Sequence, residues 1–275
     1  MDLDLPHAGA AGLAAVLALS IALSVYARIA AHVARAGGRV RTGDLALPEL
    51  LMAIVLGSFF TFLMISALLR QSQEGDAVDA GSIVPSSLMF LGLTVGVAGF
   101  IRYRGLSLPT VFGLKTLPPL AAAGWAVGLI GAAFPLTAAA NMIMILALKD
   151  QFAPQPLVEF FSAVSREGNY PVMGKVFFAG VVIAPVCEEF LFRGFFYGVG
   201  KRYLGAVPSA LLCSVLFASF HTNLAALGGL FVLALCLNLA YERTGSLLVP
   251  IGMHAIFNFS SLLLLYVQAR HPLPV

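Results

Sequence analysis

The 275-residue chain is 60% apolar and only 11% charged, with a mean hydropathy of +0.94, far outside the range of soluble globular domains. Its net charge of +3 comes from a few basic residues in short connections and is no footprint for nucleic acid, so no nucleic-acid partner is expected. The solvent for most of this chain is the lipid bilayer.

A helix needs about 20 apolar residues to cross the hydrocarbon layer. By that measure the chain divides into about eight candidate spans, near 9–30, 47–69, 83–101, 120–148, 176–199, 207–223, 225–241 and 247–268. The expected fold class is therefore all-α, a polytopic transmembrane helical bundle, with residues 1–275 forming a single membrane domain. The first span follows Met1-Asp2-Leu3-Asp4 and lacks the basic leader of a cleaved signal, so it reads as a retained anchor. Pro135 inside the fourth span removes a helical donor, and a kink or tilt is expected there. Between the fourth and fifth spans, Leu157, Val158, Phe160, Phe161 and Val164 beside Glu159 fit a short amphipathic helix at the interface, or a plain connecting loop. Cys187, Cys213 and Cys236 lie in apolar stretches without a C-x-x-C pair and read as small packing residues.

Lysine and arginine mark the cytoplasmic loops of membrane proteins. Arg28, Arg35, Arg39 and Arg41 crowd the connection after the first span, Arg102, Arg104 and Lys115 follow the third, and Lys201 with Arg202 follow the fifth. Glu74, Asp76 and Asp79 dominate the loop between the second and third. The alternation places both termini outside the cytoplasm.

Charged side chains within the spans gather in one run, Pro185-Val186-Cys187-Glu188-Glu189-Phe190-Leu191-Phe192-Arg193-Gly194. Each ionised group at the bilayer centre costs about 2.5 to 3.5 kcal/mol on insertion scales, so these three must face the bundle interior or a water-filled cavity. On a helix Glu189 and Arg193 are four apart and can pair, while Glu188 points about 100° away and lacks that partner. Two later spans carry polar groups at helical spacing, Phe217-x-x-x-His221 and His254-x-x-x-Asn258. Ser214, Ala218 and His221 share a face whose small residues let a neighbouring helix approach the imidazole. At 1.5 Å rise per residue, Glu188, His221, His254 and Asn258 fall at depths of about 12, 20, 10 and 16 Å from the cytoplasmic face, one slab near mid-membrane. A polar cluster that only fixes helix packing is the simpler alternative.

These residues resemble the CAAX-processing and bacteriocin-immunity membrane proteases, the CPBP or Abi-type family, whose motifs run E-E-x-x-x-R, F-x-x-x-H and H-x-x-x-N. Here they are Glu188-Glu189 with Arg193, Phe217 with His221, and His254 with Asn258, in that order. Tyr241-Glu242-Arg243-Thr244-Gly245-Ser246 and Phe112-Gly113-Leu114-Lys115 also look like bacterial members, and the family-like catalytic core covers about 176–260. The resemblance implies an intramembrane glutamate endopeptidase in which Glu188 and His221 orient and deprotonate a water. His254 and Asn258 would stabilise the oxyanion, Glu189 and Arg193 would hold the fifth helix in place, and Phe217 would be structural. The implied partners are the bilayer and a membrane-bound protein or peptide substrate, in the inner membrane of a bacterial cell. No cofactor is expected. Zinc on Glu188, His221 and His254 is the alternative chemistry, although H-E-x-x-H is missing and Asn258 is a poor zinc ligand. A non-catalytic immunity or peptide-binding protein is the alternative class.

Overall fold

Apolar runs of this length satisfy their backbone internally only as helices, and the computed structural model, which describes residues 5–71, 80–149 and 156–271, contains no strand among them. The helices are α1 (Leu5–Ala36), α2 (Leu47–Gln71), α3 (Ile83–Tyr103), the single turn α4 (Leu108–Val111), α5 (Pro119–Leu148) and α6 (Pro156–Glu167). They are followed by the rod α7 (Tyr170–Leu204), then α8 (Ala206–Phe220), α9 (Leu224–Thr244) and α10 (Leu248–Arg270). Seven of them are long and apolar enough to span a membrane. The bundle is a polytopic all-α membrane fold.

The expected span at 207–223 is the exception, because α8 has only 15 residues and so rises about 22 Å, short of a hydrocarbon layer of about 30 Å. It stops before the polar triplet His221-Thr222-Asn223, where the chain reverses: Thr222 takes a left-handed φ of 48°. The Asn223 side chain then accepts from Ala226 N at 2.9 Å to cap α9. Elsewhere the sequence boundaries move outward. The rod α7 has 35 residues against the 24 expected at 176–199, α5 runs unbroken through Pro135, and the amphipathic segment is helical as α6. In α6, Phe161, Val164 and Ser165 are buried, and Phe161 packs with Val176 and Leu262.

The enclosed helix is α9, with Leu233, Ala234, Leu237 and Ala240 all at 0% exposure, packed among α1, α5, α8 and α10. The rod α7 packs against α3 on one side and α10 on the other. One end of the bundle is tied by a buried carboxylate. Glu242 accepts from Lys201 Nζ at 2.6 Å, from Tyr197 Oη at 2.5 Å and from the Val40 amide at 3.2 Å. Lys201 also donates to the carbonyls of Gly37 and Val40, each at 3.0 Å. Leu247 N donates to Phe112 O at 3.2 Å. At Gly113 (φ +62°) a Cβ would lie 1.8 Å from the Gly245 carbonyl oxygen, so only glycine lets these two loops touch. A Cβ on Gly194 would in turn lie 2.9 Å from the Phe112 ring, so Phe112 wedges the rod one residue after Arg193. The connections after α1, α3, α7 and α9 thus meet at one end, while Arg270 donates to Tyr170 Oη at 3.0 Å at the other.

Two outcomes follow. Glu242→Ala strands Lys201 beside two carbonyls and should cost about 3 to 5 kcal/mol, read as a fall in thermal unfolding midpoint in detergent. Arg270→Ala, at an exposed pair, should change stability by under about 1 kcal/mol. Single cysteines introduced at 43 and 203 should react with an impermeant reagent from one side of sealed vesicles, and one at 166 from the opposite side. Labelling of all three from one side would break this topology.

Candidate active site

The acidic pair lies in a single α-helical turn, Ala184–Glu189, set between two π-helical segments of the rod, Ala179–Ile183 and Phe190–Phe196. A π segment widens the helix and leaves carbonyls short of their usual donors. Each is met from a neighbouring helix. Asn258 Nδ2 on α10 donates to Gly180 O at 2.8 Å, and the Cys213 thiol on α8 donates to Phe192 O at 3.2 Å. The rod is therefore pinned above and below the glutamates.

Glu189 and Arg193 are both fully buried, and Glu189 Oε1 accepts from Arg193 Nη1 at 2.8 Å, the i,i+4 pairing that helical spacing predicts. The guanidinium lies over the Phe217 ring, 4.2 Å from its centroid, a desolvated cation–π contact. The same Glu189 oxygen also takes the Nδ1 hydrogen of His254 at 2.8 Å. This second bond was not legible in the sequence, where Glu189 had one evident partner and His254 lay 65 residues away.

Glu188 is different. Its side chain is 15% exposed, and its Oε2 has no hydrogen-bond partner within the protein. His254 Nε2 lies across from that oxygen at 4.0 Å. His221 ends α8 with Nδ1 on the Phe217 carbonyl at 2.9 Å. That bond leaves Nε2 as the nitrogen free for chemistry. Phe217 is the shared floor, its ring 4.9 Å from that of His221 and 5.8 Å from that of His254. Beneath it, Ser214 is buried and accepts from Asn238 Nδ2 on α9 at 3.1 Å. The small-residue face of α8 does admit a neighbouring helix closely. Asn238, a lone buried amide in an apolar span and outside the three motifs, is a signal readable in the sequence.

The three helices thus bring Glu188, Glu189, Arg193, Phe217 and His254 into contact range, with His221 beside Phe217. Asn258 sits one turn beyond His254, with one amide hydrogen committed to Gly180. Among the described residues no group of three His, Cys, Asp or Glu side chains converges closely enough to hold a metal ion. All three cysteines are buried free thiols. Chemically, the cluster offers one unpartnered carboxylate beside an imidazole whose far nitrogen is already engaged.

Residues 173–260 match the family model described as type II CAAX prenyl endopeptidase, Rce1-like, the family that the three motifs resemble. The match covers most of α7, all of α8 and α9 and the first half of α10, and so contains every motif residue. An Escherichia coli protein described as an uncharacterized 24.3 kDa protein is 32% identical over 104 residues, 36% of this chain and 48% of that protein. The matched region thus spans about half the length of that relative. No solved structure matches the chain. With seven helices long and apolar enough to span, the chain is an integral membrane protein, and its residues 173–260 are similar to CAAX-type membrane endopeptidases.

The geometry separates scaffold from free carboxylate by stability. Glu189→Ala leaves Arg193 unpaired at 0% exposure and should cost about 3 to 5 kcal/mol. Glu188→Gln removes no protein hydrogen bond and should change stability by under about 1 kcal/mol. Thermal unfolding of the two purified variants in detergent checks the contrast, and equal losses would contradict it.

Proposed function

We propose that the chain is a membrane-embedded endopeptidase of the CAAX type that uses Glu188 as its general base. The observation that carries this reading is the division between adjacent carboxylates: Glu189, fully buried, is held through Oε1 by Arg193 and His254, whereas the Glu188 side chain makes no hydrogen bond within the protein, is 15% exposed and faces His254 Nε2 at 4.0 Å. That spacing is too long for a direct hydrogen bond and suits a water about 2.8 Å from each group.

In the proposed reaction Glu188, helped by His221, takes a proton from this water as the water oxygen attacks the scissile carbonyl carbon. The carbonyl π pair moves onto oxygen. Collapse of the intermediate breaks the C–N bond, and the proton held at Glu188 passes to the leaving amine, so that water is divided between the two products. His254 in its protonated form and the second amide hydrogen of Asn258 are the donors assigned to the oxyanion. Low local dielectric around a site set inside the bundle makes such donors more effective than in water. The family's prenyl-endopeptidase description supports a membrane-associated protein segment as substrate. A lipid-modified C-terminus, a bacteriocin precursor or a membrane-bound regulator fits a chamber at this depth.

The setting proposed for this activity is a bacterial inner membrane. Arg35, Arg39, Arg41, Arg104, Lys115, Lys201 and Arg202 belong to connections at the Glu242 end, which the positive-inside rule assigns to the cytoplasm. The proposed mechanism needs no metal. If Glu188, His221 and His254 all bound zinc, no carboxylate would remain as base, because Glu189 is engaged with Arg193.

A fluorogenic peptide carrying a prenylated cysteine, presented in detergent or liposomes, supplies the test, together with comparison of membrane-protein termini in cells with and without Glu188. Glu188→Gln should lower turnover by at least about 100-fold with its folding intact, and chelator-treated wild type should cleave at its full rate. Cleavage lost on chelation and restored by one equivalent of zinc would replace this mechanism with the metal-dependent one. Stoichiometric binding without turnover, unaffected by Glu188→Gln, would make the protein a binder.

A further inference from the structure

A Glu189 that served only to neutralise Arg193 would be complete within one turn of α7, since the pair is i,i+4 and makes a 2.8 Å bond. The carboxylate nevertheless reaches across to α10, where the same Oε1 accepts from His254 Nδ1 at 2.8 Å. Its position is over-determined. Arg193 holds it from α7, the Phe217 ring holds Arg193 at 4.2 Å, and the edge of that ring meets the His254 imidazole at an interplanar angle of 76°. The charged groups facing His254 are Glu189 at Nδ1 and Glu188 near Nε2, both from α7, with Arg193 behind Glu189. From α8 it meets the Phe217 ring, with His221 against that ring as well.

We propose that Glu189 is the positioning residue for His254, fixing the hydrogen on Nδ1 and confining all proton exchange of that imidazole to Nε2. This deepens the reading of Glu188 as base and rests on it. A carboxylate accepts and cannot donate, so Nδ1 keeps its hydrogen whether the ring is neutral or protonated. Only Nε2 changes character. In the neutral ring it is an acceptor opposite Glu188, able to accept a hydrogen bond from the hydrogen that the water keeps while its other hydrogen goes to the carboxylate. In the protonated ring it is a donor, as the oxyanion requires. Without Glu189 the ring could carry its single neutral-state hydrogen on Nε2, and the acceptor facing Glu188 would be lost. The arrangement follows the logic of a buried carboxylate that holds a histidine in one tautomer, although here that carboxylate also neutralises an arginine.

The test uses full-length, 15N-histidine-labelled protein in detergent, with the His254 resonances assigned by their loss in His254→Gln. In wild type the neutral ring should show a protonated Nδ1 and a bare Nε2. Two variants remove the carboxylate: Glu189→Gln, and the double change Glu189→Met with Arg193→Met, which deletes both charges so that no ion is stranded. The double variant should fold, show His254 in both tautomers, and cleave the prenylated peptide with kcat lowered about 10- to 100-fold and KM within about threefold. A folded double variant that keeps the single Nδ1-protonated tautomer, or keeps wild-type kcat, overturns the assignment. If Glu188→Gln cleaves normally, the base assignment fails instead, and the tautomer spectra, which need no turnover, still decide the role of Glu189.

Discussion

A carboxylate buried in a membrane bundle must find its counter-charge and its donors inside the protein, and the placement of Glu189 answers that constraint. One of its oxygens receives both Arg193 and His254 at 2.8 Å, joining the rod α7 to α10. The stacking of Arg193 on Phe217 adds α8 to the same junction. Helix positions are therefore specified by a polar contact at the centre, and the apolar contacts around it fill space to suit. Buried ion pairs are often poor stabilisers compared with apolar residues of equal size. Their use here is geometric, because they hold an imidazole and a second carboxylate in fixed register.

The rod achieves this register by departing from regular helix geometry on both sides of the acidic pair. The two π segments cost backbone hydrogen bonding, and the neighbouring helices make good part of the loss through Asn258 and Cys213. At the Glu242 end, the Phe112–Gly113 turn wedges against Gly194 while Gly113 lies on the Gly245 backbone. Two stretches that stood apart in the sequence, Phe112–Lys115 and Tyr241–Ser246, thus form one clamp on the rod. Neither touches Glu188, yet both restrict the axial and rotational freedom of the helix that carries it.

Much of this was legible from residue types and spacing. Long apolar runs announce spanning helices, and the i,i+4 spacing of Glu189 and Arg193 announces their pair. The contrast between a paired and an unpaired glutamate follows from helix geometry alone. What spacing could not supply was contact between helices. The bond between Glu189 and His254 depends on how α7 and α10 cross, and Asn258 lies on the expected face of α10 but spends a donor on a carbonyl exposed by a π segment that no local pattern signals. The shortness of α8 is hidden in the sequence for a related reason. Its apolar run continues directly into the polar triplet His221-Thr222-Asn223, and hydropathy averaged over a span-length stretch hides where the helix ends.

His254 belongs to α10, which leaves the ribosome after α7, α8 and α9. While those helices are being inserted, the acidic pair already lies in the bilayer with Arg193 as the partner within its own helix, and α8 is too short to hold itself across the layer without α9. The imidazole that reads Glu189 arrives only when α10 threads in beside α5 and α7. A nascent or truncated chain lacking α10 would carry the glutamates but not the imidazole that meets both of them. The order of synthesis thus leaves this polar junction incomplete until the last spanning helix has joined the bundle.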